Sequence, residues 1–387
     1  MIEIARYILA AIVAQTHLWS LGMEWTGEIS VFAFYTLSGY LMTRVLNERY
    51  GFTMRGIGAF LLNRVLRLWP AYLVIMGLAL IALRFLPLDN FFQLIRMPIS
   101  PLEIITNLTV LGQVGFDYVQ WLPLAKPLVT SWSLSIEIVS YLLLALYFAK
   151  SPSRLWAFAV LGVIAMAIST AWCATSPDPG VYGPYCFQNR YGVVQAGFIP
   201  FAFGGLYYFH RDPIADWIVR YRGRSVCLLG GALVTILATE PAMAVIGPMI
   251  GIPALATFSS ARLTATIAPF VGIPLTWMLL SSAQDVRATS AQDFFGRASY
   301  HLFIAHMPIA AVLATGLHVP TRSISIYLAT LAAALGVSVV LVPMERRINS
   351  VRQRVRLSAP TCSRPEESRG KERPCSARSQ KFRQPEQ

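Results

Sequence analysis

Apolar residues recur along this chain in runs close to 20 long, broken by short clusters of Arg, Lys, Pro and Gly. A helix that crosses a hydrocarbon core needs roughly 20 such residues. Stretches that reach or approach this length lie at 4–22, 29–47, 69–87, 131–149, 153–172, 193–210, 224–239, 242–260, 264–283, 298–316 and 323–343. The run at 242–260 is the weakest, because Pro248, Gly251 and Pro253 interrupt it and proline removes a helical hydrogen bond. About ten transmembrane helices in one bundle are therefore expected, an all-α integral membrane fold. Residues 54–67, MRGIGAFLLNRVLR, set apolar positions among arginines and predict an amphipathic surface helix running into the third crossing. The pattern predicts a polytopic membrane domain over residues 1–345. A basic tail over 346–387 follows it, disordered where Ser, Pro, Arg, Glu and Gln dominate.

Composition supports the same solvent. The chain is 55% hydrophobic and 13% charged, against about 25% charged in ordinary soluble domains. The net charge of +13 first points to nucleic acid, but its distribution does not. From Met344 onward there are 12 Lys+Arg and 5 Asp+Glu, so the tail alone carries +7 (12 − 5). Much of the rest lies in loops: Arg49, Arg55, Arg64 and Arg67, then Lys150 and Arg154, then Arg211, Arg220, Arg222 and Arg224. The positive-inside rule places these loops and both termini in the cytoplasm. Membrane lipids are the expected surroundings, and no folded basic face for nucleic acid is evident. The first apolar run lacks a basic n-region, so it is expected to stay as a helix. The five cysteines show no metal-ligand spacing, and no metal site is expected. Cys173 and Cys186 share one outer loop, where an oxidising compartment allows a disulfide.

Charges inside apolar runs are costly and need a reason, on the order of 2.5–3.5 kcal/mol each even on lenient scales. Arg6 and His17 are eleven residues apart on the first helix. That is three turns plus about 20°, so they share a face with about 16 Å between them. A neutral imidazole at His17 can act as general base. The same pair also suits a snorkelling arginine and a histidine bonded to a neighbouring helix. Glu137, in SWSLSIE, falls about 9 Å below the outer surface if its span starts there. That depth matches His17, which Glu137 could orient, or it could pair with an arginine to hold the bundle. Arg64 and Arg67 are three apart and share a helix face, where two guanidinium forks suit phosphate; positive-inside topology with headgroup contact is the other reading. His301 and His306 are turned about 140° apart on one helix, so a metal pair on one face is not expected.

Six of these pieces occur in order: Arg6-x10-His17, VFAFYTLSGYLM with Ser38-Gly39, Arg64-x-x-Arg67, SWSLSIE with Glu137, FGRASYHLFIAH with Tyr300 and His306, and the late Glu345. Together they resemble the membrane-bound acyltransferase-3 family, which includes bacterial O-acetyltransferases of surface polysaccharides. The resemblance implies a bundle commonly of ten helices that takes an acyl group from a cytoplasmic donor, usually acetyl-CoA, to a hydroxyl of a carbohydrate or lipid-linked glycan. No tightly bound cofactor is expected. It implies a place in the cell inner membrane, with Arg6 and His17 as the essential centre, His17 acting as general base or as transient acyl carrier, and Glu137 nearby. Arg64 and Arg67 would bind the donor, and Ser38, Tyr300 and His306 would line the substrate site. Phe32 and Ile138 stand where family members often carry acids. The alternative from another class is a transporter or flippase, since intramembrane Arg, His and Glu also line transport paths.

Overall fold

Backbone amides in hydrocarbon must be bonded within their own segment, so apolar runs of this length fold as helices. The computed structural model describes residues 2–19, 25–114, 124–174, 191–221, 260–282 and 289–357, with Gly223 and Met249. Among these the chain forms α1 (Ile2–Leu18), α2 (Trp25–Val45), α3 (Met54–Phe85), α4 (Pro101–Thr109), α5 (Trp132–Leu146) and α6 (Pro152–Ala174). It continues through α7 (Phe198–Phe209), α8 (Arg211–Arg220), α9 (Ser260–Ser282), α10 (Ser290–Gly316) and α11 (Ile324–Leu357), with no strand among the described residues. Among the described residues, five segments are long and apolar enough to cross a membrane: Thr26–Tyr50, Met54–Phe85, Val129–Leu146, Ser290–Gly316 and Ile324–Arg356. Pro152–Ile168 and Ala268–Ser282 are shorter apolar helices. The expected runs at 224–239 and 242–260 lie outside the described residues except for Met249 and Ser260, as do Cys186 and residues 358–387.

The helices pack in a sequence of neighbours. α11 lies between α3 and α10, α1 between α10 and α2, and α7 between α2 and α6. α5 touches both α2 and α3, which closes the arc into a ring. Close approach at α2 is made by glycine. A Cβ on Gly39 would overlap the Phe201 backbone, one on Gly204 would overlap the Thr36 carbonyl, and one on Gly272 would meet Ile29 and Ala33. Small residues of this kind let helix backbones touch where water provides no drive to associate. Around them Phe32, Tyr35, Phe158 and Phe201 fill the core, each no more than 1% exposed.

Two helices are longer than a bilayer crossing. α3 runs unbroken through Pro70, capped by Thr53, whose side chain accepts from the Gly56 amide. α11 continues to Leu357, so residues 346–357 are helix and not the start of a tail. Their charge reads as solvated tail in the sequence. The partner that orders them is distant in the chain: the Asn63 amide donates to the Arg352 carbonyl at 2.9 Å, and Arg352 Nε donates to Asn63 Oδ1 at 3.0 Å.

The connection from α3 to α5 is a built structure around Glu103. Its carboxylate accepts from the backbone amides of Ala125 (2.9 Å), Ile99 (2.9 Å) and Ser100 (3.1 Å). Asn107 donates to the Glu103 and Ala125 carbonyls, and Tyr72 donates to the Asn107 carbonyl at 2.7 Å. Burial pushes the Glu103 carboxyl up, but the N–H donors outweigh it and hold it at about 2, against an ordinary 4.5. A depressed value means that the stabilisation is complete above about 4.5 and is lost as pH falls toward about 2. Glu103→Gln turns an amide NH2 toward donors and is expected to cost about 1–3 kcal/mol. In thermal unfolding at a series of pH values, the gap between wild type and this variant should narrow as pH drops below about 4.5.

Candidate active site

The ring of α1, α2, α3, α5, α10 and α11 encloses a cavity of about 340 Å³. Arg6, Ser38, Arg64, Arg67, Glu137 and Tyr300 all line it. These come from five helices, and local sequence explains how each arrives. Arg64 and Arg67 are one turn apart on α3 and share its inner face. Gly296 on α10 leaves room for the Glu3 side chain, and Glu3 pairs with Arg6 at 3.6 Å. Gly39 lets α7 press on the far side of α2, and Ser38, its neighbour, turns into the cavity. Ser38 Oγ donates to Glu137 Oε1 at 3.1 Å, and Tyr141, one turn along α5, donates to Glu137 Oε2 at 2.7 Å. Tyr300 donates to the Leu68 carbonyl at 3.1 Å, which ties α10 to α3.

The charges in this cavity are uneven. Arg297 pairs with Asp293 at 3.1 Å and with Glu345 at 3.4 Å, and Glu345 also meets His301 Nε2 at 3.1 Å. Those acids are already engaged. Arg64 and Arg67 form no ion pair among the described residues, and the buried Arg64 Nε has no acceptor. Arg6, Arg64 and Arg352 all lie close enough to repel Arg67. Glu3 pairs with Arg6 and Glu137 faces Arg6 and Arg67, but the cavity holds more arginines than acids, and such an excess of guanidinium groups makes an anion site.

His17 and His306 form a separate part of the site. Their rings stack at 5.3 Å between centroids and 20° between planes. His17 is exposed, whereas His306 is fully buried. His306 Nδ1 lies 3.1 Å from the Leu302 carbonyl, which can only accept, so Nδ1 carries the proton. Its Nε2 is then a bare acceptor, with no hydrogen-bond partner among the described residues. Neither histidine lines the arginine cavity; Phe303 lines it, with its ring 6.4 Å from that of His306.

The expected match in depth between Glu137 and His17 does not hold. Glu137 bonds to Ser38 and Tyr141 and faces Arg6 and Arg67. The reason is where α5 begins. Thr130, in the turn before α5, donates to the Phe303 carbonyl at 2.9 Å, three residues from His306 toward the Arg297 end of α10. The helix starts inside the bundle and not at its surface, so Glu137 is carried down to the arginines. His301 and His306 face different partners, as their 140° offset implies. His301 Nδ1 meets Ser338 Oγ at 3.2 Å and its Nε2 meets Glu345 on α11. Of the charged lining residues that sequence reasoning missed, Glu3, Asp293 and Arg297 sit just outside apolar runs, where they read as boundary markers, and Arg352 and Arg356 lie in what reads as the tail.

A family model described as an acyltransferase domain matches residues 2–342. No curated protein and no solved structure matches the chain.

Proposed function

Since the chain belongs to the acyltransferase-3 family and is a membrane acyltransferase, we propose that it moves an acetyl group from acetyl-CoA to a hydroxyl of a cell-surface carbohydrate or lipid-linked glycan. The observation that carries this reading is the pairing of a cavity that holds more arginines than acids with an exposed histidine about 16 Å further along α1. The cavity suits the phosphates of the donor, with Arg6 added to Arg64 and Arg67. Arg6 is too far along the helix from His17 to act on the same reacting atoms. Its role is then to hold the anionic end of the donor, while the pantetheine arm spans the distance and brings the thioester to His17.

At that point His17 takes the proton of the acceptor hydroxyl as its oxygen attacks the thioester carbonyl. The C–S bond breaks, the acetyl group stays on the acceptor oxygen, and the thiolate leaves with the proton that His17 held. His306 Nε2, a bare acceptor beside His17, can accept a hydrogen bond from the acceptor or from His17 itself. Glu137 holds Ser38 and balances the nearest guanidinium groups. In this reading Arg49, Arg55 and Lys150 mark the cytoplasmic side of the inner membrane and both termini are cytoplasmic. Proton NMR of the surface glycan tests the reading, with O-acetyl signals expected only in cells that carry the protein. Unchanged acetylation in its absence would refute it, and a glycan that reaches the surface only with the protein yet stays unacylated would favour the transporter.

A further inference from the structure

The family match ends at residue 342, but the wall of the cavity does not. Glu345, Asn349, Arg352 and Arg356, all on the continuation of α11, line the same cavity as Arg64 and Arg67. Arg352 is a built feature of that wall. It is buried, its Nε donates to Asn63 Oδ1 at 3.0 Å, and its Nη1 donates to Asn349 Oδ1 at 2.7 Å. Both acceptors are neutral amides, so they fix the guanidinium without cancelling its charge. Arg356 lies one turn further along α11 and forms no ion pair among the described residues. It and Arg352 repel each other and Arg64. The acids of the cavity are engaged elsewhere: Glu345 and Asp293 hold Arg297, Glu3 holds Arg6, and Glu137 bonds to Ser38 and Tyr141 and faces Arg6 and Arg67.

Two pairs of guanidinium groups therefore face one cavity from neighbouring helices. Arg64 and Arg67 are three apart on α3; Arg352 and Arg356 are four apart on α11. One phosphate group carries only about −1.5 to −2 charge, so four guanidinium groups leave positive charge for a second. We infer that Arg352 and Arg356 form a second phosphate subsite, which takes a phosphate monoester of the donor distinct from its diphosphate. Resting on the acyl-CoA reading above, this makes the ribose 3′-phosphate of coenzyme A a group the enzyme selects for. The shared chemistry is a phosphate, which an anionic lipid headgroup also carries, so the test separates the two sources.

The full chain in phosphatidylcholine nanodiscs is titrated with acetyl-CoA and with acetyl-3′-dephospho-CoA. Wild type should bind acetyl-CoA about tenfold more tightly, the scale of one charge-assisted contact. Arg356→Gln should bring acetyl-CoA down to the dephospho level and leave acetyl-3′-dephospho-CoA binding unchanged. Arg352→Lys, which keeps the charge, should lose less of the preference and checks that the effect is not a loss of fold. Equal weakening of both donors by Arg356→Gln, or an undiminished preference, overturns the subsite. So does an effect of Arg356→Gln confined to retention of phosphatidylglycerol in mixed nanodiscs, which would assign the pair to a lipid headgroup. Failure of wild type to bind either donor is a different result, and it removes the acyl-CoA reading together with the subsite.

Discussion

Replacing His17 with alanine is expected to lower acetyl transfer by at least about a hundredfold, the usual contribution of a positioned general base, while acetyl-CoA binding stays at the wild-type level. The split follows from geometry. The arginines that would hold the donor line a cavity that His17 does not line, and His17 stacks only on His306 among its described ring contacts. Removing the imidazole therefore deletes an interaction made in the transition state and leaves ground-state binding alone. Single-turnover transfer and equilibrium donor binding, measured on the same preparation, check it. A parallel loss of binding would place His17 in the donor site and sink its assignment as base. His306→Asn should lie between the two proteins, because it removes the stacked ring and its free Nε2 but leaves His17 in place.

The largest effect on stability is expected at Gly204. Its Cβ would overlap the Thr36 carbonyl oxygen, and that atom is backbone, which cannot turn aside. Gly204→Leu must then push α7 off α2 and is expected to cost about 3 kcal/mol or more, at or above the top of the usual range for overpacking. Because α7 also rests against Gly39, the shift should move Ser38 away from Glu137 and lower activity in whatever protein still folds. Gly77→Ala is the matched control, since a Cβ there meets nothing within 4 Å. Thermal unfolding in detergent should show a large drop for the first variant and little change for the second. Similar midpoints for both would mean that the α2–α7 contact is not a close one.

How much of this was legible in the sequence differs from element to element. Helix positions were readable because hydrocarbon forces the backbone to bond locally, so apolar length alone predicts the element. Thus the run at 29–47 corresponds to Thr26–Tyr50, and the run at 298–316 lies within Ser290–Gly316. The amphipathic stretch at 54–67 runs into the next crossing as one helix, as its pattern predicts. Reading α11 past Pro343 failed, because arginines that turn toward a cavity look in sequence like arginines that turn toward water. Asn63, nearly 300 residues away in the chain, orders them.

The site divides along the same line. Sequence alone singled out candidate residues, since an arginine, histidine or glutamate inside an apolar run has to be there for a reason. It also determined relations along a single helix: the shared face of Arg64 and Arg67, the roughly 16 Å from Arg6 to His17, and the opposed faces of His301 and His306. Only the tertiary structure decided which of these groups meet. It put Glu137 with Ser38, Tyr141 and the arginines, gave His17 the ring of His306 as its neighbour, and brought Arg352 to the cavity of Arg64. Helical periodicity fixes angles and distances within one helix, but the depth at which one helix starts relative to another depends on turns such as Val129–Ser131 and on contacts such as Thr130 with Phe303. Those contacts join residues more than a hundred apart in the chain, and no local pattern records them.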